Sequence, residues 1–73
     1  MTGSHFKQSL RAFVSRRPFK PFEVELDSGA RFLVEHPEAL AYGGTVAVYI
    51  SPDGAVKLFD SDGVSQLMDP ATD

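Results

Sequence analysis

Phe22-Glu23-Val24-Glu25-Leu26-Asp27-Ser28-Gly29-Ala30-Arg31-Phe32-Leu33-Val34-Glu35 is the stretch whose reading decides the fold. Its first six residues alternate strictly between apolar and acidic, and side chains in a strand point to opposite faces in turn, so one face is buried and the other wet. Asp27-Ser28-Gly29 supplies turn chemistry. Ala30 to Glu35 then returns as a second arm that sets Phe32 and Val34 on the same side as Val24 and Leu26. The result is an antiparallel hairpin. Glu23 and Glu25 lie on its solvated face, where Arg31 on the neighbouring arm can form a cross-strand pair worth about 0.2–1 kcal/mol. A carboxylate pair placed this way is a solvated face and not an acid–base couple.

On the N-terminal side, Phe6, Leu10, Phe13 and Val14 recur at i, i+4, i+7 and i+8, which gathers them on one face of a helix. The pattern predicts a helix over about residues 4–16 with Ser4 as N-cap, ended by Pro18 because the residue before a proline is driven out of the α region. Residues 17–21 of Arg17-Pro18-Phe19-Lys20-Pro21-Phe22 read as an extended connector. Its prolines have the spacing of an SH3 ligand, yet the segment joins two structured pieces, so its phenylalanines serve better as core anchors.

On the C-terminal side, His36-Pro37-Glu38-Ala39-Leu40-Ala41-Tyr42 interrupts the strand pattern and predicts a short helical turn, closed by Gly43-Gly44. Thr45 to Ile50, the turn Ser51-Pro52-Asp53-Gly54 and Ala55 to Asp60 form a second hairpin. After Asp60-Ser61-Asp62-Gly63, residues 64–68 can close the sheet as a strand or form a helical turn, and residues 69–73 read as a frayed tail. The expected fold is therefore α+β in a single domain over residues 1–73. An N-terminal helix precedes a small antiparallel sheet of four to five strands, two hairpins that could curl into an SH3-like or Sm-like barrel.

The chain has 73 residues, 42% of them apolar, with six phenylalanines and no cysteine. A chain of this length buries only about 60% of the surface it exposes unfolded, so nearly every large apolar side chain is needed in the core. Without cysteine there are no disulfides, thiolate metal sites or thiol nucleophiles. No apolar run reaches the roughly 20 residues of a membrane span, and Met1-Thr2-Gly3-Ser4-His5 does not read as a signal peptide, so a cytoplasmic location is expected. The net charge of −3 is unevenly laid out. Residues 1–21 carry Lys7, Arg11, Arg16, Arg17 and Lys20 and no acid, whereas all ten acids lie beyond them, against only Arg31 and Lys57. The chain is a basic arm on an acidic body.

Chemistry is hard to place. His5 and His36 lack the spacing that builds a three-ligand metal site, although Glu38 could orient His36. Asp60-Ser61-Asp62-Gly63 resembles the opening of a calcium loop, whose twelfth position needs a glutamate and here is Ala71. No serine sits in a G-x-S-x-G elbow and no glycine run cradles a phosphate. We therefore expect no enzyme, with no catalytic residue, metal or cofactor.

Surfaces say more. Tyr49 and Phe59 occupy the alternate faces of strands whose other faces hold Val46, Val48, Ile50, Val56 and Leu58. One sheet face cannot bury both sets, so either the sheet curls into a small barrel that shelters some of them, or the N-terminal helix covers one set and leaves the rest partly exposed, or a partner covers the second face. Self-association and a protein partner are the expectation, with Phe19, Tyr49 and Phe59 as the candidate surface. The alternative is single-stranded nucleic-acid binding through Lys7, Arg11, Arg16, Arg17 and Lys20, with Phe19 available to stack on a base. No membrane contact is expected.

Two resemblances bear on this. Over about residues 10–68 the chain resembles a group of short uncharacterised bacterial proteins that share Arg-Pro-Phe-Lys-Pro-Phe, here Arg17 to Phe22. They also share Asp-x-Gly, here Asp27-Ser28-Gly29, and His-Pro-Glu, here His36-Pro37-Glu38. That resemblance implies domain limits and no activity. The order of a helix and then about five short strands is similar to the Sm-like RNA-binding barrels, without their sequence motifs, and an acidic sheet is unlike a basic ring pore. The expected function is a small non-enzymatic interaction module, self-associating and binding a protein partner.

Overall fold

The computed structural model describes residues 1–70 and begins with helix α1, Gly3–Val14. Thr2 rather than Ser4 is its N-cap: the Thr2 hydroxyl accepts the His5 amide at 3.2 Å, one of the donors a helix start leaves without a partner. Phe6 and Leu10 are fully buried, and Phe13 and Val14 pack at the core margin. The helix stops at Val14, two residues short of the predicted end, where the Ser15 amide turns back to the Arg11 carbonyl at 3.0 Å. Arg16 is spent on other partners instead of a further helical turn. It donates to the Lys20 carbonyl at 2.8 Å and to Asp69 at 2.6 Å, and lies over the Phe13 ring.

Strands β1 (Phe22–Leu26) and β2 (Arg31–Val34) form the hairpin that the alternation requires, in the register Phe22↔Val34 and Val24↔Phe32. Gly29 turns it at φ +92°, a left-handed conformation that costs glycine little. Glu25 and Arg31 stand directly opposite, and their side chains meet at 3.1 Å.

The remaining strands do not extend this hairpin into a single sheet of four to five strands. Pro37–Ala39 make only one 3-10 turn, and Leu40–Gly43, expected to be helical, form β3. Long-range pairing overrides the local preference of Glu38-Ala39-Leu40-Ala41, because β3 finds a partner in β4 (Val46–Ile50) with Leu40 opposite Tyr49. β5 (Val56–Asp60) completes this sheet on the far side of β4. β6 (Val64–Met68) is a strand and returns to β1, across a bulge between Glu25 and Leu26. The six strands thus make two three-stranded antiparallel sheets, β2-β1-β6 and β3-β4-β5, and not one curled ladder. The chain passes between them at the His36-Pro37 break and at Ser61-Asp62-Gly63. Of the tail expected to fray, Asp69 is held by Arg16, and residues 71–73 lie outside the described residues.

The core fills the space between α1 and the inner faces of both sheets. Phe6 and Leu10 meet Phe22, Val24, Val34 and Val64 of the first sheet and Leu40, Ala47, Tyr49 and Phe59 of the second. Phe59 is edge-on to Phe6 and to Phe32, at 6.0 and 5.3 Å between ring centres, and Phe32 stacks on Tyr49 at 6.2 Å. The buried Tyr49 hydroxyl accepts the Glu35 amide at 3.1 Å, as a buried polar group must. The first turn of α1 docks on the β3–β4 turn so closely that a Cβ on Gly3 would lie 2.8 Å from the Thr45 methyl.

Candidate interaction surface

The second sheet turns Leu40, Ala47, Tyr49 and Phe59 inward. Period-two geometry then sends Ala41 and Gly43 of β3, Val46, Val48 and Ile50 of β4, and Val56, Leu58 and Asp60 of β5 to the outer face. Register aligns these into rows across the strands. Ala41, Val48 and Leu58 form one, Ile50 and Val56 a second, and Gly43, Val46 and Asp60 a third. Asp60 is the only charge in this array, and it sits at a corner. Leu58 is 73% exposed, Val56 66%, Ile50 52% and Val46 48%. Leu33, on β2, is the one other large apolar residue that is exposed among the described residues.

Two depressions break this face and share Val46 and Leu58. The larger, about 530 Å³, lies between the end of β1 and β5 and is lined by Leu26, Asp27, Val46, Leu58, Phe59 and Asp60 among others. The smaller, about 320 Å³, lies over Ala41, Gly43, Val46, Val48 and Leu58.

Of the predicted interaction residues, Tyr49 is fully buried and Phe59 nearly so, and neither is open to a partner. The correction has a physical cause. Aromatic side chains gain most from burial and from edge or stacked contacts, so the face that holds Tyr49 and Phe59 turns to the core and the aliphatic face turns out. Phe19 is half-buried and edge-on to Phe22 at 6.2 Å, a packing role in the connector. The outer aliphatic set escapes notice as a site because both faces of β4 and β5 are apolar. The signal that marks it is the concentration of aromatics on one face and β-branched residues on the other.

The basic arm is divided. Lys7 and Arg11 are exposed on α1, and Arg17 and Lys20 are exposed in the connector. Arg16 is already committed to Asp69, to the Lys20 carbonyl and to the Phe13 ring, so the structure does not present the five cations as one free set.

Other polar groups make local contacts. His36 lies 3.5 Å from Glu38 with both side chains exposed, and no three His, Asp or Glu residues converge among the described residues. The Ser51 hydroxyl donates to the Asp53 carboxylate and lies 3.1 Å from the Ala55 carbonyl, closing the β4–β5 turn. That hydroxyl, with the Ala55 amide, holds the Asp53 carboxyl below its ordinary pKa. On the outer face of the first sheet, Gln66, Glu25 and Arg31 link three strands in one row. The Gln66 amide does most to lower the Glu25 pKa; desolvation opposes it, and Arg31 adds to the lowering.

Compared with protein-family models, curated proteins and solved structures, the chain finds no match. Among the described residues, no helix is long and apolar enough to cross a membrane.

Proposed function

We propose that this chain is a small non-enzymatic interaction module that presents the outer face of β3-β4-β5 to a protein. One observation carries the reading: among the described residues, four of the five exposed large apolar side chains stand together on that face, in rows set by the strand register. Contiguous apolar patches of this kind mark interaction sites on small soluble domains, where scattered single residues would not. The exposed fractions of Val46, Ile50, Val56 and Leu58 together amount to more than two whole side chains. At about 1.5–3 kcal/mol for each aliphatic side chain fully buried, covering them releases roughly 4–7 kcal/mol per copy, within reach of the cost of association.

The test is a photo-reactive amino acid placed at Leu58 or, as a control, at exposed Glu38, in cells that express the chain. Covalent adducts to protein are expected from position 58 and not from 38. Equal yields from both, or none from 58, would refute the assignment of the surface. A second reading, single-stranded nucleic-acid binding, rests on the four exposed cations Lys7, Arg11, Arg17 and Lys20 and is the weaker for the diversion of Arg16.

A further inference from the structure

We infer that the larger depression, between the end of β1 and β5, is a binding site for a small amphipathic amine, an ammonium group joined to an apolar chain or ring. Its lining selects that chemistry. Leu26, Val46, Leu58 and Phe59 supply apolar surface, and the only charged residues that line it are Asp27 and Asp60. No lysine, arginine or histidine joins them, so an anion is repelled and a neutral molecule leaves both carboxylates unused. The backbone brings the two acids to one place. The Asp27 amide donates to the Gly63 carbonyl at 2.9 Å, which ties the β1–β2 turn to the β5–β6 turn, and the Gly63 amide donates to the Asp60 carboxylate at 2.9 Å.

Neither carboxylate forms an ion pair among the described residues. Beyond residue 21 the chain has only two lysine or arginine cations to offer them. Arg31 is taken by Glu25 at 3.1 Å, and Lys57 lies on the face of β5 opposite to Asp60. The negative charge is left for a ligand to neutralise. The place in the fold suits a ligand as well. β1 and β5 belong to different sheets, so the depression lies at the seam between them, where Leu26 and Phe59, which pack with the core, line it beside the outward Val46 and Leu58. Its volume of about 530 Å³ falls within the roughly 300–1,000 Å³ of small-molecule sites. The site adjoins the interaction surface proposed above and shares Val46 and Leu58 with it, but it does not depend on a protein partner.

The probe is hexylammonium, titrated at low ionic strength into the isotope-labelled full chain and followed by the amide chemical shifts in nuclear magnetic resonance. The amides of Asp27, Ser28, Leu58, Phe59, Asp60 and Gly63 are expected to move together, with a Kd of about 1–10 mM. Hexanol, the neutral counterpart, should bind about three- to tenfold more weakly, the effect of two exposed ion pairs, and hexanoate should not bind. Methylammonium, which has the charge without the chain, should give no saturable shift. Asp27→Asn combined with Asp60→Asn brings hexylammonium to the affinity of hexanol and leaves hexanol unchanged. Each single substitution gives an intermediate loss, so the test stands if the pair disturbs the turns. Equal affinity for hexylammonium and hexanol, saturable shifts centred elsewhere, no saturable shift at all, or binding that survives the substitutions overturns the inference. Crosslinking from position 58 to protein reads the interaction surface separately: it can succeed where hexylammonium fails and fail where hexylammonium binds, so the two readings fall independently.

Discussion

Leu58 and Phe59 are neighbours in β5 that the fold sends to opposite faces, so truncating each in turn tests which face of the second sheet is inside. Phe59 is 6% exposed and is held edge-on between Phe6 and Phe32. Phe59→Ala removes both ring contacts and leaves a cavity beneath α1, a change that costs about 3–5 kcal/mol in well-packed cores. A chain of this length has roughly 4–11 kcal/mol of stability in all, so the variant is expected to lose about half of it. Leu58 is 73% exposed, and Leu58→Ala should stay within about 0.5 kcal/mol of the parent. The assay is urea unfolding monitored by far-ultraviolet circular dichroism at two chain concentrations, so that any contribution of self-association to the Leu58 value shows as a shift of the midpoint with concentration. At about 4–8 °C per kcal/mol, Phe59→Ala should also melt more than about 10 °C lower. If Leu58→Ala costs as much as Phe59→Ala, the sheet faces the other way and the proposed surface is the core.

Tyr49→Phe removes the acceptor of the Glu35 amide without opening a cavity, and should cost about 1 kcal/mol by urea unfolding; no change would mean that water replaces the contact. Glu25 has a lowered pKa in the fold, so its contribution is present above the ordinary glutamate value and is lost as pH falls through the folded one; Glu25→Gln should flatten the acid limb of stability against pH, and an unchanged limb would place the Gln66–Glu25–Arg31 row outside the energetics of folding. Under the second reading, single-stranded RNA binds with an affinity that drops steeply with salt and with Lys7→Glu combined with Arg11→Glu; an affinity that ignores both would refute it.

The first hairpin is legible in the sequence because its leading strand, Phe22–Leu26, is apolar on one face only. Glu23 and Glu25 can go nowhere but outward, and that fixes the register. The strands of the second hairpin are equally legible as strands, yet their orientation is not, since Val46, Val48 and Ile50 compete with Ala47 and Tyr49 for the core. The contacts that decide it come from distant segments: Phe32 over Tyr49, the Glu35 amide on the Tyr49 hydroxyl, and the first turn of α1 against Thr45. β3 is hidden for the same reason, its pairing with β4 outweighing a helical local preference. Arg16 shows the limit at the level of a single side chain. Its charge is plain in the sequence, but its partner Asp69 is 53 residues away.

The two sheets of this molecule make the case for a covered face by contrast. Both have an inner face in the core and an outer face turned away from it. On the first sheet the outer face carries Glu23, Glu25, Arg31 and Gln66 beside Leu33 and Met68, and Glu25, Arg31 and Gln66 are joined by hydrogen bonds between their side chains. On the second the equivalent positions are Ala41, Val46, Val48, Ile50, Val56 and Leu58, in a chain that has charged residues to spare. Composition did not force that difference, because period-two alternation leaves outer positions free to be polar at no cost to the core. β3 and β5 are the edge strands of this sheet, and β5 carries exposed Lys57 and Asp60, the kind of charge that protects an edge from further strand pairing. The aliphatic face between these edges is the surface on which the proposed protein partner would lie, and in a cysteine-free chain with so small a core that contact would also add to the stability of the fold.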